Sequence, residues 1–275
     1  MNEVSETQAS NNFPPMATHD LHVAFGGNRV LEGVNLEFKE GFNGLIGPNG
    51  AGKTTVFNVI SGYVKPTSGS VSVKGSDLSG KNQTARVKAG IGRTFQAPKL
   101  VLDCTVMENV LLGYHHKFRW GHFAELFFFP GQRREETEAR GQCMEMLEQF
   151  ELSDYAHEEA GNLSLGSQKL VEVCRALVAR PPVVLLDEPA AGLGADDVTV
   201  MIRGLRKMVA EERVCLVIIE HDLELVTNLC PSISVLHFGK IISQGSPEQV
   251  TSDPAVIEAY LGHGYGEDTD PSGAQ

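Results

Sequence analysis

The chain has 275 residues, 41% hydrophobic and 21% charged, enough for one large α/β domain or two small ones around a sizeable core. A formal net charge of −12 argues against sequence-independent nucleic-acid binding, which needs a basic face to displace counterions, though it leaves room for a local basic patch. No apolar run approaches the roughly 18 residues that span a bilayer, the first fifteen residues lack a basic-then-apolar secretion pattern, and the five scattered cysteines read as reduced core thiols.

Residues 1–16, rich in Asn, Ser, Glu and Pro, read as a disordered lead. From Leu21 to Ile46 apolar and polar residues alternate through Leu21, Val23 and Phe25, a Gly26-Gly27-Asn28 turn, then Val34, Leu36, Phe38 and Gly41. That pattern predicts antiparallel strands joined by tight turns, and GSVSVK at 69–74 adds another short strand. Across 105–154 Gly and β-branched residues give way to Glu, Gln, Arg, Met and Leu, which marks a helical insert. Within it, 133–150 carries Cys143, Met146, Leu147 and Phe150 on one face of an amphipathic helix. From Val171 onward, helices alternate with the wholly apolar runs 183–186 and 215–219, as in parallel strands buried on both faces. The expected fold is α/β, with a parallel-sheet core, an antiparallel N-terminal layer and a helical insert.

The chemistry concentrates at the ends of the apolar runs. Gly47, Pro48, Asn49, Gly50, Ala51, Gly52, Lys53, Thr54 and Thr55 follow Leu45-Ile46 and precede a helical pattern, the strand–loop–helix context of a phosphate-binding loop. Its backbone N–H groups would face phosphate oxygens, Lys53 would reach the β- and γ-phosphates, and the Thr54 hydroxyl would ligate Mg²⁺. Asp187 and Glu188 end a buried strand, where ligands of open α/β sheets collect; Asp187 would hold Mg²⁺ and Glu188 would polarise the attacking water. His221, in Glu220-His221-Asp222 after the second apolar run, can donate to a γ-phosphate oxygen. Gln96, after the short strand at 92–95, can reach both Mg²⁺ and that water. Phe25 either stacks on adenine or fills the core. LSLGSQ at 163–168 opens a helix expected over 167–179, a second anion-binding terminus that one nucleotide rarely needs from a single chain. It points to a dimer.

The order of these pieces (aromatic-Gly-Gly, phosphate loop, Gln96, LSLGSQ, LLDEP, the 192–196 loop, His221) resembles the nucleotide-binding domains of ATP-binding-cassette (ABC) proteins over most of the chain. GLIGPNGAGKTTVFNVISGYVKPTSG, GIGRTFQ, TVMENVLLGYHH, LLDEPAAGL and DPAVIEAYLG are similar to the ATPase subunits of branched-chain amino-acid importers. Urea/amide importer ATPases share much of this, and lipopolysaccharide-export ATPases less. The resemblance implies a P-loop ATPase domain over 17–262 with a RecA-like core, a helical subdomain at about 98–165 and a flexible acidic tail at 263–275. It implies ATP and Mg²⁺ as cofactors, with Thr54, Gln96 and Asp187 on the metal and Glu188, His221 and Gln96 in catalysis. It further implies that Ser164, Leu165, Gly166, Ser167 and Gln168 act in trans, Ser164 and Gly166 on the γ-phosphate held by a second ATPase subunit, identical or paralogous. Two integral-membrane permease subunits and, indirectly, a solute-binding protein complete the machine at the cytoplasmic face of the inner (plasma) membrane.

The chain departs from that family's usual pattern at three places. Leu165 and Ser167 replace Tyr and Gln of the signature, Gly194-Ala195 replaces Asn-Pro after Gly192-Leu193, and Gly41-Phe-Asn-Gly44 precedes the phosphate loop where β-branched residues are common. His115-His116 lacks further ligands at metal spacing and is not read as a zinc site. Trp120 and the run Leu126-Phe-Phe-Phe129 read as core of the helical insert or, alternatively, as a docking surface for a short cytoplasmic helix of a membrane subunit. A soluble ABC-type switch acting on the ribosome or DNA is the competing class, disfavoured by the short insert between Gln96 and Leu163 and by the acidic charge.

Overall fold

The computed structural model describes residues 13–117 and 130–261. Residues 1–12 and 262–275 lie outside it, as do Trp120 and the aromatic run at 126–129. Met16, assigned to the lead by composition, is the fully buried first residue of a strand.

Strands β1 (Met16–Phe25) and β2 (Asn28–Phe38) form an antiparallel hairpin. Its two-residue loop, Gly26-Gly27, needs positive φ at both positions (54° and 91°), which two glycines supply without steric cost. Strand β3 (Gly41–Ile46) leads into the phosphate loop and helix α1 (Lys53–Ile60). Strands β4 (Ser68–Val73) and β5 (Ser76–Asp77) complete a four-stranded antiparallel sheet of order β2-β1-β4-β5. After α2 (Gln83–Lys88) and β6 (Ile91–Arg93) come the helices α3 (Val106–Tyr114), α4 (Pro130–Gln149) and α5 (Leu165–Leu177). Then follow β7 (Val183–Asp187), α6 (Ala195–Glu211), β8 (Cys215–Ile219), α7 (Leu223–Leu229), β9 (Ser232–His237), β10 (Lys240–Gly245), α8 (Pro247–Thr251) and α9 (Pro254–Leu261).

The second sheet has order β10-β9-β3-β8-β7-β6 and is parallel except for β10. Every residue of β7 and β8 is buried, as runs without polar alternation require. The antiparallel expectation fails for β3, which pairs in parallel with both β8 and β9 at the centre of this sheet. Its GFNG sequence has a packing reason: a Cβ at Gly44 would lie 2.7 Å from Val226 Cγ1. The buried Asn43 amide accepts from Lys39 N and donates to the carbonyls of Lys39, Gly41 and Leu216, pinning the turn into the strand to its neighbour. Alternation misleads here because a central strand carries its one polar side chain for backbone satisfaction, not for solvent.

The core lies in two clusters, one on each face of this sheet. Leu185, Val217, Phe57 and the hairpin residues form the first, while Leu186, Ile218, Leu147 and Phe150 pack with the helices in the second. The apolar face of α4 buries Ala139, Cys143, Met146 and Leu147, with Phe150 just beyond its last turn. Phe150 presses on Gly204 in the middle of α6, where an added Cβ would sit 2.7 Å from the ring. Ala normally gains about 1 kcal/mol over Gly inside a helix, but crowding a close-packed ring costs about 1–3 kcal/mol. Gly204→Ala is therefore expected to lower the Tm by a few degrees, measured by scanning calorimetry; a rise would show that the ring yields.

Candidate functional site

The loop between β3 and α1 is shaped by steric necessity. Gly47 has φ 150°, and a Cβ there would run into the Leu236 carbonyl of β9, so no other residue fits. Gly52 is the N-cap of α1 and has no side chain to cap it, and no acidic residue occupies the first turn. The opening N–H groups of α1 are thus left for an anion. Lys53 is only 6% exposed; its Nζ donates to the carbonyls of Gly47 at 2.6 Å and Pro48 at 3.0 Å. Burial pushes its amine below the usual lysine range, against the opposing pull of Glu188 and Asp187.

This loop faces a cavity of about 320 Å³ that also touches Val30 of β2, Gln96, Glu188 and His221. The three polar side chains meet on one carboxylate. Gln96 Nε2 donates to Glu188 Oε2 at 3.0 Å, and His221 Nε2 lies 2.8 Å from Glu188 Oε1. Glu188 itself has φ 49°, a backbone strain worth about 1–3 kcal/mol that its surroundings hold in place. Its N–H donates to Ile219 at the end of β8, and Lys169 Nζ from α5 donates to its carbonyl at 3.1 Å and to that of Ala191. Glu220, buried, accepts from the N–H groups of Ala190 at 2.6 Å and His221 at 3.3 Å, joining the two strand ends. Burial raises the Glu220 carboxyl, with the neighbouring Glu188 charge adding to the rise.

Asp187 sits deeper, 4% exposed, with Oδ2 on Arg93 at 3.2 Å. Burial raises its carboxyl above the usual range, opposed by Arg93. Its Oδ1 makes no hydrogen bond among the described residues. Thr54 and Gln96 line the cavity and Asp187 does not, but the Oδ1 of Asp187, the Gln96 Oε1 left over by the bond from Nε2, and the exposed Thr54 hydroxyl are all hard oxygen donors, the kind that suits Mg²⁺. Among the described residues no cluster of three or more His, Cys, Asp or Glu side chains could hold a metal.

The remaining sequence candidates fall elsewhere. Phe25 ends β1, half exposed, and does not line the cavity. Residues 163–168 do not line it either. The helix there begins at Leu165, two residues earlier than expected, because Ser164 is its N-cap: Ser164 Oγ accepts from Ser167 N at 3.0 Å and also meets Ser167 Oγ at 3.0 Å. Leu165 is 74% exposed, Gly166 packs against Asp197, and Gln168 Nε2 donates to the Leu163 carbonyl at 3.1 Å. Gly194 is the N-cap of α6, with Asp196 and Asp197 in its first turn, where negative charge is favoured.

Sequence reasoning assigned no role to Lys169, Glu220, Arg93 or the pair Glu172 and Arg175, which grip the backbone N–H and carbonyl of Lys99 beyond Gln96. The usable signal was charge at a buried position, since Arg93, Glu172 and Glu220 all sit beside or within apolar stretches.

Comparison with known proteins gives the family of the chain. The family model described as ABC transporter matches residues 31–191, and one described as branched-chain amino acid ATP-binding cassette transporter matches 240–266. The chain is 38% identical over 253 residues to the high-affinity branched-chain amino acid transport ATP-binding protein BraF of Pseudomonas aeruginosa, covering 90% of this chain and 98% of BraF. It is 36% identical over 250 residues to LivG of Escherichia coli K12, a protein of the same description, with the same coverage. A solved ATP-binding cassette of an ABC transporter in its ADP conformation superposes with a TM-score of 0.77 at 33% identity, over 90% of this chain and 98% of that one.

Proposed function

The chain belongs to the ABC transporter family, and from that premise we propose that it is the ATP-hydrolysing subunit of an importer for branched-chain or other hydrophobic amino acids. The observation that carries the catalytic part is the meeting of Gln96 and His221 on Glu188 at the mouth of the phosphate-loop cavity. The loop N–H groups and Lys53 receive the phosphates of ATP, the anion that the buried ammonium otherwise lacks. Thr54, Gln96 and Asp187 would hold the Mg²⁺ that accompanies it, and when bound the ion would supply positive charge against the phosphates.

Each oxygen of Glu188 accepts one of these contacts and keeps a second lone pair, so a water can bind the carboxylate while Gln96 and His221 orient it. Glu188 accepts a proton from the attacking water as the water oxygen bonds to the γ-phosphorus and the bond to the bridging oxygen breaks, releasing ADP; His221 is close enough to turn its Nε2 toward the γ-phosphate. Phe25 stacks on the adenine. Residues 164–168, which do not line the cavity of their own chain, close the site of a second ATPase subunit, with the exposed Leu165 entering that interface.

The relatives' description as transport ATP-binding proteins supports separate membrane subunits, with the chain at their cytoplasmic face. Among the described residues no helix is long and apolar enough to cross a membrane. A cleft of about 510 Å³, with the exposed Tyr63, Val87 and Leu112 on its walls, suits a short helix of such a partner. The similarity to BraF and LivG, together with the match at 240–266, supports branched-chain amino acids as cargo.

Glu188→Gln is expected to bind ATP within about twofold of the wild type and to lose about 10²- to 10⁴-fold in turnover. Undiminished phosphate release would remove Glu188 from this role. Co-expression with the permease subunits of its own genome tests the transporter assignment: the chain should purify with them in detergent, and permeases that assemble without it would end the importer reading.

A further inference from the structure

Arg93, the last residue of β6, lies three residues before Gln96 and outside the cavity that receives the phosphates. Its side chain is 7% exposed, an unusual place for a guanidinium; both terminal amino groups are hydrogen-bonded, while the buried Nε has no hydrogen-bond partner among the described residues. One amino group donates to Asn58 Oδ1 at 2.8 Å and to Ser61 Oγ at 2.6 Å; these acceptors lie on α1 and at its C-cap, the helix whose first residues are Lys53 and Thr54. The other amino group reaches Asp187 Oδ2 at 3.2 Å, at the end of β7. The rings of Phe57, Tyr63 and Phe95 flank the guanidinium with centroids 5.8, 5.5 and 5.1 Å away, so aromatic faces replace the water it has lost.

Three elements are tied at this one group. The phosphate loop feeds α1, Asp187 ends β7, and β6 runs on toward Gln96. A carboxylate that must present one oxygen to a cation is best held by its other oxygen, and Asp187 is held in that way: Oδ2 is fixed by Arg93 while Oδ1 stays open among the described residues. We propose that Arg93 is a positioning residue for the divalent cation, keeping Asp187 in register with α1 so that the metal-holding carboxylate and the phosphate-holding helix move as one piece. The inference rests on the reading of Asp187 as the cation's carboxylate.

The test is the affinity of a fluorescent, non-hydrolysable ATP analogue for the full chain, measured in excess Mg²⁺ and in EDTA. Arg93→Lys keeps the charge and loses the fork. The ratio of the EDTA Kd to the Mg²⁺ Kd should fall about tenfold, the usual cost of losing a partner that orients a metal ligand, while the EDTA Kd stays within about twofold. Ser61→Ala removes one anchor of the guanidinium and should shift the ratio in the same direction by less. An unchanged ratio in Arg93→Lys, or a parallel loss of affinity in EDTA, overturns the proposal. Should Arg93→Lys fail to fold, an unchanged ratio in Ser61→Ala overturns it instead. Asp187→Asn separates the premise from the inference: it should lower the ratio, and if it does not, the metal role of Asp187 falls and the role of Arg93 with it.

Discussion

Lys53 holds its positive charge below the surface with two carbonyl oxygens in contact and no carboxylate paired to it among the described residues. A buried, unpaired ammonium is costly unless an anion arrives, and the local fold is arranged to admit one. Gly47 cannot carry a side chain because of Leu236, so β9 presses the loop into its curve from behind. The uncapped start of α1 adds its N–H groups to the same point. Asp187 and Glu188 stand close enough to pull the amine back toward its charged form without contacting it. The phosphate chain of a nucleotide is the missing counter-charge, and the family to which the chain belongs binds one.

The parallel sheet explains why everything else is close by. Strands β3, β7 and β8 all end on one side, so the loop, Glu188 and His221 emerge together from elements distant in sequence. The strained Glu188 is held on three sides, by Ile219 behind it, Gln96 and His221 at its carboxylate, and Lys169 on its carbonyl. Helix α5 supplies Lys169, and farther along Glu172 and Arg175 clasp the backbone beyond Gln96. The helix that Ser164 caps therefore also holds the Glu188 carbonyl and the backbone beyond Gln96 in its own chain.

Much of this was legible in the residues alone, for a physical reason. The runs at β7 and β8 have no polar alternation because both faces are covered, and their carboxylates and histidine come at the end because nothing charged can sit earlier. The phosphate loop is equally plain, since its glycines answer to steric rules. Strand β3 was misread because Gly41, Asn43 and Gly44 imitate a turn-rich antiparallel segment, while their real causes are Val226 and the Leu216 carbonyl, both about 180 residues away in sequence. The start of α5 was placed late because Ser164 announces itself as a cap only through the bond it receives from Ser167. Lys169, Glu220 and Arg93 carry no motif at all. Their roles come from which backbone or carboxylate the tertiary fold sets beside them.

The most direct measurement of the central claim compares Lys53→Met with the wild type by thermal unfolding, with and without MgATP. Removing a buried, unpaired charge should leave the ligand-free Tm equal or higher, while the rise that ATP produces in the wild type through binding to the folded state should vanish. A ligand-free protein that is clearly less stable, or an ATP-induced rise that survives the substitution, would contradict the account of Lys53 as a charge waiting for phosphate.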